Sequence, residues 1–435
     1  MLEKHPLCDH CLGRQFALLG HNLENFERGR AIKLVLTMEA HASVPSNEGE
    51  GINMLKLIAA NGFSESSKEV LTKLRKRITT KSLPQTCFLC EGKFEDIECL
   101  ANKALSLLEN FEYRSFLVGT ELPISVAERE DEFKAKFEVD TSESMRNEFG
   151  RLIGKSIAER SGKLVDFRRP EIVVLVKPMS GEVSLQVNAL FISGRYRKLI
   201  RGIPQSKWFC SNCYGRGCES CNWTGKMYSE SVEEIIGKPS LEATQGAETS
   251  FHASGREDID ARMLGSGRPF VIEIAKPKKR VLDLVALQAA VNNYGKGKVE
   301  VSDMKVASKD TVRNLKKGES TQKEYRVTIE FAKKVTIKDL KSIKEKLTNA
   351  LIYQRTPNRV LHRRADLTRE KYIYEVNVKK LTPKKAEMKI RCQGGLYVKE
   401  LVSGDEGRTA PSITEILGNK AKPVKLDVLN IIMKV

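Results

Sequence analysis

Cysteine spacing is the feature that most constrains how this chain can fold. Eight of the ten cysteines occur as Cys-x-x-Cys pairs. A gap of two residues lets both sulfurs of a turn face one tetrahedral ion, so two such pairs complete a metal site. The sequence therefore predicts two structural zinc sites rather than a set of disulfides. Their ligands would come from the four pairs Cys8/Cys11, Cys87/Cys90, Cys210/Cys213 and Cys218/Cys221.

The two predicted sites differ in how far apart their ligands lie in the sequence. A zinc ion shared by the first two pairs would clip together two distant segments, and two independent reactive dithiols are the alternative. The last two pairs lie close together, with glycines between them that favour tight turns around sulfur. Their short separation leaves an intermolecular or low-affinity site as the alternative. Cys99 and Cys392 are unpaired, and we expect both to be small buried apolar residues.

Positive charge is the second constraint, and it concerns the partner. Lysine and arginine exceed aspartate and glutamate by 18, and the pI is about 9.3. This excess predicts a polyanionic partner, and nucleic acid is favoured because no basic amphipathic membrane anchor stands out. No apolar run approaches the roughly 18 residues of a membrane span. The first residues lack the apolar stretch of a signal peptide, so we expect a cytoplasmic protein without membrane contact.

The patterns along the chain predict an α+β fold in several domains. Strand-like runs, such as 171–176 and 325–331, are interspersed with helical patterns and do not alternate with them regularly. Residues 237–252 are expected to be rich in loops. The expected domains are a helical zinc module (1–110), an α+β unit (111–207), a cysteine-rich zinc knuckle with a linker (208–250) and a strand-rich domain (251–435).

The segment from Gly255 to Phe270 combines two aspartates, three arginines and a glycine-rich turn ahead of a strand-like run. Arginine lowers the pKa of a nearby carboxylate, and a turn beside a strand both exposes the carboxylate and holds it rigidly. Asp258 and Asp260 are both candidates for a catalytic carboxylate, and they would share one face if the pair lay on a strand. A charged surface turn with ion pairs is the alternative.

Two resemblances extend this interpretation. Residues 111–207 combine a helix, a strand, a hairpin and a basic rim, which resembles a THUMP domain, a module that binds the acceptor end of tRNA. Three longer motifs within 255–412 are similar to those of the archaeal and eukaryotic T-loop tRNA pseudouridine synthase family. The motifs are Gly-Arg-Glu-Asp-Ile-Asp-Ala-Arg-Met-Leu-Gly-x-Gly-Arg-Pro-Phe, Gln-Arg-Thr-Pro-x-Arg-Val-Leu-His-Arg-Arg and Leu-Tyr-Val-Lys-Glu-Leu-Val-x-Gly-Asp-x-Gly-Arg-Thr-x-Pro-Ser.

The family resemblance implies a fold and an activity. The fold would be a zinc-bearing N-terminal THUMP-like domain followed by a pseudouridine synthase fold built on a mixed antiparallel sheet. The activity would be that of an isomerase, which converts uridine to pseudouridine at position 54, position 55 or both in the T loop of tRNA. The implied partners of a monomeric protein are the T arm and, through the THUMP-like unit, the acceptor stem. Zinc would be structural, and no organic cofactor is implied.

The resemblance also assigns roles to residues of this chain. The catalytic carboxylate falls on Asp258, with Arg256 as its expected local partner, and Asp260 stays the rival. The active-site tyrosine falls on Tyr325, which would stack on the freed uracil. The other expected site residues are the basic Lys399, its neighbour Val398, the apolar Leu426 and, on a basic arm over 354–364, Arg355, Arg359, His362, Arg363 and Arg364.

The chemistry of the implied reaction explains why these residue types occur together. Breaking the C1′–N1 bond needs an anionic carboxylate near the sugar, either as a nucleophile at C1′ or to remove the 2′ proton. A base that leaves its stack needs basic side chains to hold the distorted loop. The structural alternatives are a plain strand aromatic at Tyr325, a surface lysine at Lys399 and a solvated loop for the arm. The functional alternative is a non-enzymatic, zinc-containing tRNA-binding protein.

Overall fold

The computed structural model describes residues 1–77, 86–316 and 322–432. The chain forms two compact units, residues 1–188 and 189–435. Both units combine helices with a sheet, so the expected α+β class is confirmed. Across the described ranges, no helix is long and apolar enough to cross a membrane.

The first unit contains a small sheet and several helices. Its strands are β1 (Ser115–Thr120), β2 (Leu164–Val165), β3 (Ile172–Lys177) and β4 (Glu182–Val187). Their order in the sheet is β2-β1-β3-β4; β1 is parallel to both neighbours, and β3 is antiparallel to β4. The helices are α1 (Asp9–Gly13), α2 (Asn25–Ser43), α3 (Glu48–Asn61), α4 (Glu65–Lys73), α5 (Ile97–Leu108), α6 (Ile124–Lys136) and α7 (Met145–Ser161).

The core of the first unit follows from alternation along β3. Ile172, Val174 and Val176 are buried, and the residues between them are more exposed, as the two-residue period of a strand requires. Phe149 and Ile153 of α7 belong to the same apolar cluster. Three of the four N-terminal cysteines belong to this cluster as well, so the expected metal site lies inside the core.

The two unpaired cysteines differ in exposure. Cys392 is buried, as expected. The expectation that Cys99 is buried is wrong, because this residue is exposed on α5. The buried face of α5 consists of Leu100, Ala101, Ala104 and Leu108, and Cys99 lies outside that face.

The second unit is built on one large sheet, whose pairings are antiparallel except that β14 is parallel to β7. Its strands are β5 (Leu190–Lys198), β6 (Glu248–Ala253), β7 (Arg262–Ala275), β8 (Val299–Ala307), β9 (Gln322–Phe331), β10 (Ala350–Arg355), β11 (Thr368–Thr382), β12 (Lys385–Gln393), β13 (Thr409–Ala410) and β14 (Ala421–Ile432). The order across the sheet is β13-β10-β11-β12-β9-β14-β7-β5-β8, and β6 also pairs with β7. The helices are α8 (Val232–Thr244), α9 (Leu284–Tyr294), α10 (Lys309–Lys316), α11 (Ile337–Leu347), α12 (Val398–Ser403) and α13 (Ile413–Leu417).

The expectation of loops over residues 237–252 is wrong. The structure has the second half of α8 and most of β6 there, and α8 contains Pro239. The Ser231 side chain accepts a hydrogen bond from the Glu234 N–H and begins the helix. Ile235 and Ile236 are buried in the core, and their packing outweighs the low helix propensity of proline and glycine.

Strand β5 belongs to the second unit. The sequence-based division placed it at the end of the α+β unit, but β5 pairs with β7 and with β8 in the large sheet. The cysteine knuckle follows β5 in the same compact unit. The division into four domains stays a prediction, and the structure divides the chain after residue 188.

Strand β14 lies in the middle of the large sheet, between β9 and β7. The loop before β7 carries Asp258, and β9 carries Tyr325. Strand β14 therefore joins two parts of the sheet: the part with β7, which follows the Asp258 loop, and the part with β9, which carries Tyr325.

Candidate active site

A short loop between β6 and β7 carries Asp258. Gly255 opens the loop with a φ of +77°, a conformation that favours glycine. The carboxylate of Glu257 is buried and accepts a hydrogen bond from Arg268 Nε at 2.9 Å. Lys198 Nζ donates to the main-chain oxygen of Asp258 at 3.2 Å. These buried contacts hold the loop backbone, so the Asp258 carboxylate has a fixed position.

The Asp258 carboxylate lies between two cations. Its Oδ1 is 3.3 Å from Arg359 Nη1, and its Oδ2 is 3.2 Å from Lys399 Nζ. Burial raises the pKa of Asp258, but attraction to Arg359 and Lys399 outweighs burial and places the pKa below its ordinary value. The carboxylate is therefore ionised at neutral pH. The expected pairing with Arg256 is wrong, since that guanidinium lies over the Trp208 ring, 5.7 Å from its centroid.

Asp260 lies beside the same lysine but faces solvent. Both of its carboxylate oxygens are 2.8 Å from Lys399 Nζ. Its side chain is 68% exposed, whereas that of Asp258 is 33% exposed. The two aspartates lie in the loop before β7 and not on a strand, so they do not form the shared strand face considered above. Asp258 is the carboxylate that is both partly shielded from water and paired with two cations.

A cavity of about 260 Å³ adjoins Asp258 and collects most of the predicted residues. Its walls come from the loop before β7, from β9 and β14, from the start of α12 and from the segment after β10. The predicted residues that line the cavity are Arg256, Asp258, Tyr325, Arg359, Arg364, Val398, Lys399 and Leu426.

Some side chains of the basic arm line the cavity, and others lie on the surface. Arg359 and Arg364 line the cavity. Arg355 and His362 are exposed and are not among the lining residues. The side chain of Arg363 lies outside the described part of the chain. The arm therefore contributes two arginines to the cavity, while the exposed Arg355 pairs with Asp366 at 2.7 Å on the surface.

Lys323 is a cavity residue that the sequence reasoning missed. It precedes Tyr325 by two positions on β9, and the period of a strand puts both side chains on one face. Burial and the nearby Arg268 guanidinium lower the pKa of Lys323 to about 8. The cavity therefore contains an ammonium group that loses its proton more readily than a surface lysine does. The strand period was the signal that could have found it.

A second missed feature fixes Leu426 at the cavity wall. The next residue, Asp427, is buried and lies 2.9 Å from Arg262 Nε and 3.0 Å from Arg326 Nη2. A third arginine, Arg201, also pairs with it. Burial raises the pKa of Asp427, but the hydrogen bonds from the arginines on β7 and β9 outweigh burial and lower it to about 2. The carboxylate thus ties β14 to the strands on both of its sides.

We expect Asp427→Asn to destabilise the second unit by roughly 2–3 kcal/mol, because three partly exposed arginines lose their anionic partner. The folded pKa is depressed from 3.8 to about 2, so the aspartate's contribution is complete above pH 4 and is lost as the pH falls through 2. Urea unfolding of the wild type and the variant between pH 7 and pH 2 measures this difference. Asp303→Asn, at an exposed position of β8, is the control, and equal stability of wild type and Asp427→Asn at pH 7 would contradict the role.

The cysteines of each predicted set converge in the structure. Within each set the sulfur atoms all lie within 4.8 Å of one another, which is close enough for one metal ion. In the first set, the sulfurs of Cys8 and Cys90 are 3.6 Å apart. In the second set, the sulfurs of Cys210 and Cys218 are 3.8 Å apart. Four thiols form a donor set that fits a thiophilic metal.

Two glycines shape the second set: Gly217, between the two pairs as the sequence predicted, and Gly225, which follows them. The N–H of Gly217 donates to the Cys213 sulfur at 3.2 Å, and the N–H of Gly225 donates to the Cys221 sulfur at 3.2 Å. The two glycines have φ values of +92° and +69°, which other residues rarely adopt. These contacts stabilise thiolate charge, so the knuckle is suited to hold a cation.

Comparisons with known proteins match nearly the whole chain. The family model described as "Pus10, C-terminal" matches residues 191–432, and the model for the archaeal Pus10 THUMP domain matches 100–177. A tRNA pseudouridine synthase Pus10 from Methanocaldococcus jannaschii is 45% identical, covering 99% of this chain and 93% of its own. Another, from Methanothrix thermoacetophila, is 43% identical with the same coverage of 99% and 93%. A solved Cbf5-Nop10-Gar1 complex contains a chain that is 14% identical and aligns with 55% of this chain and 48% of its own, with a TM-score of 0.31.

Proposed function

Since the chain belongs to the Pus10 family and is a pseudouridine synthase, an isomerase, we propose that it modifies position 54, position 55 or both in the T loop of tRNA. The observation that carries the proposal is the Asp258 carboxylate, ionised between Arg359 and Lys399. It adjoins a cavity that also contains Tyr325, the residue type that can stack on a uracil ring.

The isomerisation breaks the bond between C1′ and N1 and forms a bond between C1′ and C5. N1 gains a proton and C5 loses one, so the reaction is redox-neutral and requires no organic cofactor. In this proposal Asp258 begins the reaction, either by attack on C1′ or by removal of the 2′ proton. Both routes need the unprotonated carboxylate that Arg359 and Lys399 maintain.

The apolar part of the cavity receives the base. Tyr325 stacks on the freed uracil, and Val398 and Leu426 enclose it, since all three line the same cavity. Burial raises the pKa of Tyr325, so its hydroxyl stays protonated at neutral pH. The tyrosine therefore offers a ring face and a hydrogen-bond donor while the base turns to present C5 to C1′.

The same proposal assigns the remaining parts of the protein to tRNA. A formal net charge of +18 supports binding to a polyanion. The THUMP domain binds the acceptor stem, and the cations of the basic arm hold the distorted T arm. Zinc fills both cysteine sets, and the protein acts as a monomer in the cytoplasm. The arm residues assigned to RNA are Arg355, Arg359, His362, Arg363 and Arg364.

A position-mapping experiment tests the proposed substrate. An unmodified tRNA transcript incubated with the protein should gain pseudouridine within the T loop. Carbodiimide treatment followed by primer extension locates the product. Matched transcripts with cytidine at position 54, at position 55 or at both identify the target, and the doubly substituted transcript should gain none. Pseudouridine formed only outside the T loop would overturn this substrate assignment.

A further inference from the structure

The cysteine knuckle, residues 208–228, presents large rings to solvent. Phe209 is 55% exposed, Trp223 is 73% exposed and Tyr214 is 78% exposed. Aromatic residues bury most of their surface when their purpose is packing. Three exposed rings on one short segment therefore indicate a surface that meets a ligand.

The backbone at two of these rings supports the same interpretation. Tyr214 has a φ of 51° and Trp223 a φ of 59°, in the left-handed region that favours glycine. Each residue closes one cysteine turn, because its N–H donates at 2.9 Å to the main-chain oxygen of Cys210 or Cys218, respectively. Left-handed backbone costs a non-glycine residue roughly 1–2 kcal/mol, so glycine would suit both turns better. The local fold does not explain why large rings occupy these two positions.

The knuckle adjoins the candidate active site through Trp208, the residue before Phe209. Trp208, Asp258 and Lys399 all line one cavity of about 310 Å³. An RNA loop that delivers a uridine to Asp258 therefore has its neighbouring nucleotides within reach of the knuckle.

Cations accompany the exposed rings. Lys207 Nζ lies 4.8 Å from the centroid of the Phe209 ring. Arg216 is exposed two positions after Tyr214. Rings interleaved with cations form the usual platform for single-stranded nucleic acid, because every base has a face that can stack and every nucleotide has a phosphate.

We propose that Tyr214 and Trp223 stack on unpaired bases of the RNA substrate next to the target uridine. The knuckle is thus a binding site for single-stranded RNA and not only a structural clip. This inference rests on the proposed function for the identity of the partner, and it adds the surface that holds the nucleotides around the target.

The double variant Tyr214→Gly/Trp223→Gly removes both rings and supplies the residue that the turns favour. It should bind a T-arm hairpin RNA at least about 10-fold more weakly, since base stacking on an aromatic ring contributes about 1–3 kcal/mol. Its thermal midpoint should equal or exceed that of the wild type because the backbone strain is relieved.

Fluorescence anisotropy of a labelled hairpin measures the affinity, and Tyr214→Phe/Trp223→Phe should retain most of it. Tyr294→Ala, which removes a half-exposed ring at the end of α9, is the control and should bind normally. Wild-type affinity in the double glycine variant would overturn the proposal, as would equal weakening by the phenylalanine variant.

A measurement on the unaltered protein covers the case in which the glycine variant fails to fold. Hairpins with 5-iodouridine at single loop positions are photocrosslinked to the wild type, and the attached residue is identified by mass spectrometry. Crosslinks at Tyr214 or Trp223 support the proposal, and crosslinks confined to other residues overturn it. A wild type that binds the hairpin but forms no pseudouridine would refute the proposed function, whereas the affinity comparison would stand.

Discussion

Asp258→Asn should abolish pseudouridine formation while leaving folding and RNA binding intact. The amide keeps the size of the side chain but lacks the negative charge that either proposed route requires. We expect the single-turnover rate to fall on the order of 10⁴-fold or more. The rate is measured with excess enzyme and a tRNA transcript, and the affinity is measured by anisotropy with the same RNA.

Asp260→Asn is the matched control, because Asp260 contacts the same Lys399 but is largely exposed. The rate of Asp260→Asn should stay within about 10-fold of the wild type, because Asp260 pairs with Lys399 but lacks the second cation, Arg359, that pairs with Asp258. Full activity in Asp258→Asn, or a comparable loss in Asp260→Asn alone, would move the catalytic role away from Asp258.

The pH dependence of the rate checks the protonation state of Asp258. The pKa of Asp258 lies below 3.8, so the carboxylate gains its proton only as the pH falls below that value. The rate should therefore show no acid limb from this group between pH 7 and about pH 4. An acid limb near pH 6 that disappears in Asp258→Asn would contradict the ion pairs described here.

We expect Cys90→Ser to unfold the first unit, and this is the second large effect that the structure predicts. The sulfur of Cys90 is buried in the apolar core of that unit and close to the Cys8 sulfur. Structural zinc contributes about 10–16 kcal/mol in zinc-finger peptides, which equals or exceeds the whole stability of most domains. Hydrogen exchange followed by mass spectrometry should show lost protection in peptides from residues 1–188.

The exposed Cys99 supplies the matched control for this experiment. Cys99→Ser removes a thiol from the same unit without touching either cysteine set, so protection should stay at the wild-type level. Prolonged treatment of the wild type with a strong chelator should reproduce the effect of Cys90→Ser. Full protection after loss of the metal, verified by elemental analysis, would show that apolar packing alone holds the unit.

Features with a local signal could be predicted from the sequence. The Cys-x-x-Cys pairs could be identified from their spacing alone, and the sulfur atoms of each set converge in the structure. The strand expected over 325–331 is the larger part of β9, because alternating apolar residues report burial within a few positions. The three motifs indicated the family, and the comparisons confirm both the family and the THUMP domain.

Contacts between distant segments could not be predicted in the same way. Arg359 is 101 positions from Asp258 in the sequence, and its approach depends on how the arm after β10 packs beside the loop before β7. The nearest arginine in the sequence, Arg256, was the natural choice and the wrong partner. Helix α8 was missed for a related reason, because the burial of Ile235 and Ile236 against the sheet overrides the local effect of Pro239.

The central position of β14 determines when the active site can form during synthesis. This strand is the last one in the described chain, and it pairs with β7 on one side and with β9 on the other. Before β14 is made, the loop with Asp258 and the strand with Tyr325 belong to two separate pieces of sheet. Pairing between segments that are distant in sequence is slow, since the entropy of loop closure must be overcome first.

The two units of this enzyme therefore complete their folds in a fixed order during translation. The first unit, with its own core and sheet, can fold while the second is still being translated. The nascent chain therefore has a folded first unit before it has an active site. The site around Asp258 is complete only when β14 enters the sheet between β7 and β9, so a chain that has not yet formed β14 lacks the arrangement that the chemistry needs.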